Sequence, residues 1–237
     1  MTWNINKLNT MYPFLFLSGG TGSRMHNATP KQYLLLAGKP VIMHIPERVE
    51  LIDEIKDIVI VCAKEYEAPI ELMLNQYGIR KSVRFAPAGA TRQKSVRNGL
   101  ALIDSEDVIV HEAARPFVKK EDFERLIATQ ERNATFGYGV PFTVLKGHDY
   151  VEGLTDRSEL INVQLPQKFD TKLLKEVHDR AAAEGREFTE DAGMIYLYHP
   201  EVPIKVVEGM DYDIKLTTRI DMLAGEQIYD DVFRRRK

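Results

Sequence analysis

The string Leu17-Ser-Gly-Gly-Thr-Gly-Ser-Arg-Met25, with Pro30-Lys-Gln-Tyr33 just beyond it, holds residue types suited to binding a polyphosphate. Gly19, Gly20 and Gly22 let the backbone take positive φ and approach a ligand closely. Backbone N–H groups of Ser18, Gly19, Gly20, Thr21, Gly22 and Ser23 can then point at phosphate oxygens. Arg24 and Lys31 add cationic side chains. The spacing is not that of a Walker A loop, since no Gly-Lys-Ser/Thr follows four spacers. It is not a dinucleotide fingerprint either, because Met25 stands where the third glycine belongs. A nucleoside triphosphate site of another kind is the expectation.

Two further strings extend that site. Gly89-Ala-Thr-Arg-Gln-Lys-Ser-Val-Arg-Asn-Gly-Leu100 runs from a turn into a helix. Gly89 permits a tight turn beside a base, while Ser95 offers a hydroxyl and Arg92 a charge. A cation at a helix start opposes the helix dipole, so an anion near Arg92 is expected. Val108-Ile-Val-His-Glu-Ala-Ala-Arg-Pro-Phe117 is a strand leading into a charged turn. Ligands of open α/β sheets bind at the carboxyl ends of strands, which is where Glu112 and Arg115 fall. A carboxylate there could ligate Mg²⁺, and an arginine could hold a phosphate by two hydrogen bonds.

These residues need a scaffold, and the hydrophobic pattern supplies one. An apolar run over residues 12–17 reads as a buried strand before the glycine loop. Strands are expected at 55–61, 82–86, 107–111 and 136–144, and helices at 41–49, 68–77, 95–103 and 121–130. The βαβα order predicts an α/β fold: a Rossmann-like open, mostly parallel sheet flanked by helices. The rhythm breaks near residues 144–165, which predicts a projecting β-arm for dimerisation. A helix at 171–184, strands at 195–198 and 204–207, and a closing helix at 219–233 complete a single domain over residues 1–237.

Composition narrows the classes. The 237 residues are 44% apolar and 28% charged with net charge −3, which carries no basic footprint for nucleic acid. The one cysteine, Cys62, excludes an intrachain disulfide and reads as a buried structural thiol. No apolar stretch is long enough to span a bilayer and no signal-peptide core precedes residue 11, so a cytoplasmic protein is expected.

With Thr155-Asp-Arg157, Val163-Gln-Leu-Pro-Gln-Lys-Phe169, Thr189-Glu-Asp-Ala192 and Asp213-Ile-Lys-Leu-Thr-Thr218, the chain resembles the methylerythritol phosphate cytidylyltransferase family. That family includes the similar ribitol phosphate cytidylyltransferases. The resemblance implies a homodimer with exchanged arms, and Mg²⁺-dependent joining of CTP to an alditol phosphate. By it, the first loop holds the triphosphate, and Arg24 and Lys31 stabilise charge growing on the α-phosphate. Gly89, Ala90, Arg92 and Ser95 face the cytidine, while Glu112, Arg115, Arg157, Thr189 and Lys215 hold the polyol phosphate. Arg157 reaches in from the partner's arm, and Glu112 and Asp213 converge on the Mg²⁺.

The polyol half departs from the family pattern. Glu112 replaces an aspartate, Leu165 a threonine, Gly193 a serine and Asp213 an asparagine, and Pro141-Phe-Thr-Val-Leu145 lacks the arm's aspartate. The lost polar groups point to a straight-chain alditol phosphate, with ribitol 5-phosphate as the expected substrate. The alternative is 2-C-methyl-D-erythritol 4-phosphate. Another branch of nucleotidyltransferases and a non-catalytic nucleotide-binding protein are the rival classes.

Overall fold

The computed structural model describes residues 10–20 and 30–234. In chain order the regular elements begin with β1 (Tyr12–Leu17), the short pair β2 (Leu35–Leu36) and β3 (Lys39–Pro40), α1 (His44–Glu50), β4 (Ile55–Cys62) and α2 (Glu67–Gln76). Next come β5 (Ser82–Pro87), α3 (Arg92–Leu100), β6 (Asp107–Glu112), α4 (Lys120–Ile127) and β7 (Ala134–Gly139). The hairpin β8 (Leu145–Gly147) and β9 (Val151–Leu154) precedes β10 (Ile161–Asp170), α5 (Thr171–Ala183), α6 (Asp191–Tyr198), β11 (Lys205–Glu208) and α7 (Arg219–Tyr229).

Seven strands form the main sheet in the order β11-β7-β10-β6-β1-β4-β5. The β6-β1-β4-β5 portion is parallel throughout, whereas β10 runs antiparallel to both β6 and β7. Side chains alternate across a strand, so a central strand feeds two cores. Phe14 and Phe16 of β1 face one apolar cluster, with Ile58, Ile60 and Phe123. Leu15 and Leu17 face the other, with Val59, Val61, Val96 and Leu174. Cys62 is buried in the first cluster and burial pushes its thiol up to about 12, which suits a structural role.

The chain builds outward from β1 through β4 to β5, then crosses back so that β6 pairs with the other side of β1. The crevice between the carboxyl ends of β1 and β6 is therefore the switch point where open α/β sheets bind ligands.

Several expected boundaries shift. Residues 195–198 are not a strand but the end of α6, whose N-terminus is capped by Glu190 accepting from the Ala192 N–H. A four-residue apolar run suits a buried helix as well as a strand, and the cap decides between them. Helix α3 starts at Arg92 rather than 95, because the Thr91 hydroxyl accepts from the Lys94 N–H. The arm is shorter than 144–165: residues from Ile161 onward pair with β7 and belong to the main sheet. Strand β7 stops at Gly139, just ahead of Pro141, which has no N–H to give to a ladder.

Candidate active site

A cavity of about 420 Å³ opens at the predicted crevice. Leu17, Ser18, Gly19 and Gly20 line it from the end of β1, and Glu112, Ala113 and Ala114 from the end of β6. Gly89, Ala90, Thr91, Arg92 and Ser95 enter from the start of α3, and Lys31, Lys215 and Thr217 complete the wall. The positive end of α3 faces the same space, which favours an anion there.

Backbone proximity explains two of the glycines. A β-carbon on Gly19 would lie 2.5 Å from the Ala88 β-carbon. One on Gly89 would lie 2.8 Å from the Lys94 carbonyl carbon and 2.9 Å from the Ser95 nitrogen. The Gly89 N–H donates to the Ser95 hydroxyl at 3.0 Å, tying the turn to the helix. Gln32, which the sequence reading passed over, is buried and its amide donates to the carbonyls of Ser18 (2.8 Å) and Gly20 (2.9 Å). It holds the described part of the glycine loop in place. The Lys31 ammonium, also at the cavity, donates to the Leu216 carbonyl at 2.6 Å. Arg24, Thr21, Gly22 and Ser23 lie outside the described residues.

The anion expected near Arg92 is supplied by the protein itself. Its guanidinium donates to Glu112 Oε1 at 2.7 Å and to Asp191 Oδ2 at 2.9 Å. Glu112 Oε2 meets the Lys215 ammonium at 2.6 Å, and Asp191 Oδ1 lies 3.0 Å from His178 Nε2. Burial pushes the Glu112 carboxyl up, but Arg92 and Lys215 outweigh it and hold it at about 2. Asp191, fully buried, is likewise held well below the usual carboxylate range, where Arg92 and His178 overcome the desolvation. The chain His178, Asp191, Arg92, Glu112, Lys215 thus ties three cavity-lining side chains to two buried groups behind them. Sequence reading missed Asp191 and His178; the only signal was Asp191 inside the Thr189-Glu-Asp-Ala192 string.

The profile of the family described as IspD, 2-C-methyl-D-erythritol 4-phosphate cytidylyltransferase, matches residues 14–231. The enzyme of that description from Bacillus cytotoxicus is 36% identical over 220 residues, covering 91% of this chain and 96% of the relative. The chloroplastic enzyme of rice is 34% identical over 224 residues, covering 92% and 74%. The crystal structure of 4-diphosphocytidyl-2C-methyl-D-erythritol synthase from Anaerococcus prevotii superposes with a TM-score of 0.83 at 26% identity, covering 94% of this chain and 97% of that one. The chain belongs to the 2-C-methyl-D-erythritol 4-phosphate cytidylyltransferase family. It is a CTP-dependent cytidylyltransferase, and its mostly parallel α/β sheet is the family's fold.

Within this cytidylyltransferase, the residues expected at the polyol phosphate divide between the cavity wall and positions outside it. Arg115 is not among the cavity-lining residues; its guanidinium donates to Asp213 Oδ2 (3.1 Å), the Asp213 carbonyl (3.2 Å) and the Val163 carbonyl (3.3 Å). Thr189 is exposed just ahead of the α6 cap and does not line the cavity. Arg157 sits at the base of the arm, where it donates to the Pro141 carbonyl at 2.8 Å. It lines a separate surface depression with Thr143 and Thr155. Of the expected polyol set, Glu112 and Lys215 alone reach the main cavity.

The expected pairing of Glu112 with Asp213 on a metal is also corrected. Both Glu112 oxygens are engaged by cations, and the Asp213 carboxylate is fully buried beside Arg115, outside the cavity lining. Among the described residues no group of three His, Cys, Asp or Glu side chains comes together as a metal site. Glu112 and Asp213, so placed, do not form a pair of ligands on one metal. No described helix is long and apolar enough to cross a membrane.

Proposed function

We propose that this cytidylyltransferase transfers the cytidylyl group of CTP to 2-C-methyl-D-erythritol 4-phosphate. A phosphate oxygen of the acceptor attacks the α-phosphorus of CTP in line. The new P–O bond forms as the bond to the bridging oxygen breaks, and pyrophosphate leaves. The observation that carries this reading is the cavity at the β1/β6 switch point, in which the glycine loop, the start of α3, Lys31 and Lys215 converge. The relatives' printed substrate supports the branched tetritol phosphate over ribitol 5-phosphate.

Each lining group has a part in that reading. Backbone N–H groups of Ser18, Gly19 and Gly20 and the start of α3 receive the phosphates, and Gly89, Ala90 and Ser95 border the cytidine. Lys31, with Arg24, stabilises charge developing at the α-phosphate. Lys215, steadied by Glu112, meets the acceptor's phosphate. No side chain acts as a nucleophile; positioning and preorganised charge do the work. Mg²⁺ enters as the triphosphate's counter-ion.

The arm supports a homodimer. Phe142, Leu145, Tyr150, Val151 and Leu154 are exposed along it, an apolar ribbon suited to a second copy of the chain. Arg157, Thr143 and Thr155 at its base would then complete the acceptor site of the partner. Pyrophosphate release with a panel of CTP, UTP, ATP and GTP tests the nucleotide assignment. Turnover confined to CTP is expected, and equal turnover with UTP would overturn the cytidine assignment.

A further inference from the structure

The segment 210–217 touches the cavity only at its far end, through Lys215 and Thr217. What fixes it lies on the opposite side. The buried Gln164 amide on β10 grips Met210 at both backbone groups: the Met210 N–H donates to Oε1 at 2.8 Å, and Nε2 donates to the Met210 carbonyl at 2.7 Å. Nε2 also reaches the Asp213 carbonyl at 3.2 Å. Arg115 then holds Asp213 by side chain and backbone together, and anchors the pair to the Val163 carbonyl of β10. Immediately beyond, the Leu216 N–H donates to the Ala114 carbonyl at 2.8 Å.

The Asp213–Arg115 pair is a poor stabiliser. The Asp213 carboxylate is fully buried, its Oδ1 has no hydrogen-bond partner, and neither has Arg115 Nε. A buried pair with polar atoms left unused on both sides scarcely offsets its desolvation. Its effect on the molecule is orientational: it fixes the path of the chain two residues before Lys215 and three before Leu216.

We propose that Asp213 is a positioning residue which, through Arg115, sets segment 210–217 so that Lys215 meets Glu112 at the nucleotide cavity. The inference rests on reading that cavity as the CTP site. It assigns a role to a position where the family pattern has an amide: an asparagine oxygen can accept from Arg115 in the same place, without the charge.

A double-mutant cycle on the full-length protein tests it. With folding verified by circular dichroism, Asp213→Ala is expected to lower kcat/KM for the acceptor phosphate at saturating CTP about tenfold or more, the scale of a misplaced binding group. Asp213→Asn, which keeps the acceptor oxygen, is expected to stay within about threefold of wild type. In a Lys215→Ala background, Asp213→Ala is expected to cost less than about threefold, because the group it positions is gone. The same tenfold loss in both backgrounds, or a folded Asp213→Ala with wild-type kcat/KM, would overturn the inference. Should Asp213→Ala not fold, Arg115→Lys carries the same cycle, since lysine cannot bridge Asp213 and Val163 together. Wild-type protein without CTP turnover would instead sink the nucleotide-site reading beneath it.

Discussion

Glu190 Oε1 stands 2.5 Å from the point a β-carbon on residue 193 would occupy. The same oxygen caps α6 by accepting from the Gly193 N–H. The resembled family's usual Thr-Asp-Asp/Glu-Ala-Ser reads Thr189-Glu-Asp-Ala-Gly193 here, so Glu190 for aspartate and Gly193 for serine are one compensated change. The longer glutamate at 190 reaches into the space a serine would use at 193, and glycine leaves that space open. Gly193 thus says nothing about the polyol. Leu165, the other lost hydroxyl, is buried and lines no part of the cavity. The structural case for a straight-chain alditol weakens accordingly.

Gly193→Ser is expected to displace the Glu190 cap and destabilise the protein by about 1 kcal/mol, the usual worth of an N-cap. Glu190→Asp in the same chain shortens the side chain and should recover most of the loss. Urea unfolding of the single and double variants checks this; equal loss in both would contradict the coupling.

Much of the site was legible because phosphate-binding loops are local in sequence. Ser18 to Gly20, Lys31, Gly89 to Arg92, Ser95, Glu112 and Lys215 all border one cavity, as the strings implied. The fold was legible for a related reason: β1, β4 and β6 are near-continuous apolar runs, as strands buried on both faces must be. What stayed hidden depends on distant partners. Arg115's partner Asp213 lies 98 positions away, so the pair cannot be read from either string alone. Arg92 lines the cavity, but its partners Asp191 and Glu112, 99 and 20 positions away, cannot be read from its own string. The strand expected at 195–198 failed because four apolar residues do not carry a period.

Glu112→Ala removes the carboxylate between Arg92 and Lys215 and leaves Arg92, largely buried, with one counter-charge. Stability is expected to fall by about 3 kcal/mol, the scale for breaking a buried ion pair. Turnover should fall with it, since Lys215 loses its support. Chemical denaturation alongside steady-state kinetics reads both effects.

Stability should respond to pH in two opposite ways. Burial holds His44 and His111 down at about 3 in the folded protein. Their contribution is complete above the ordinary imidazole pKa and is lost as pH falls from there toward about 3. Burial pushes Asp213 up to about 7, against the pull of Arg115 and with Asp122 and Glu112 adding to the rise. The folded state therefore holds a proton that the unfolded chain has released, and stability drains away as pH rises from the ordinary carboxylate range to about 7. Asp213→Asn abolishes that loss, so its gain in Tm over wild type should be larger at pH 8 than at pH 5. An equal gain at both would contradict the assignment of that titration to Asp213.

Lys31→Ala is expected to lower kcat on the order of 10²-fold, the scale for one preorganised electrostatic contact at a developing charge. Arg24→Ala should do the same. Single-turnover measurement at saturating CTP separates this from weaker binding; near-normal turnover in either variant would remove that residue from the catalytic set.

The central claim is the acceptor. Purified protein with CTP and Mg²⁺ should be given 2-C-methyl-D-erythritol 4-phosphate and ribitol 5-phosphate in parallel, and kcat/KM for pyrophosphate release compared. The account predicts a clear preference for the branched tetritol phosphate, with the CDP-linked product identified by mass. A preference for ribitol 5-phosphate would contradict it and return the acceptor to a straight-chain alditol phosphate.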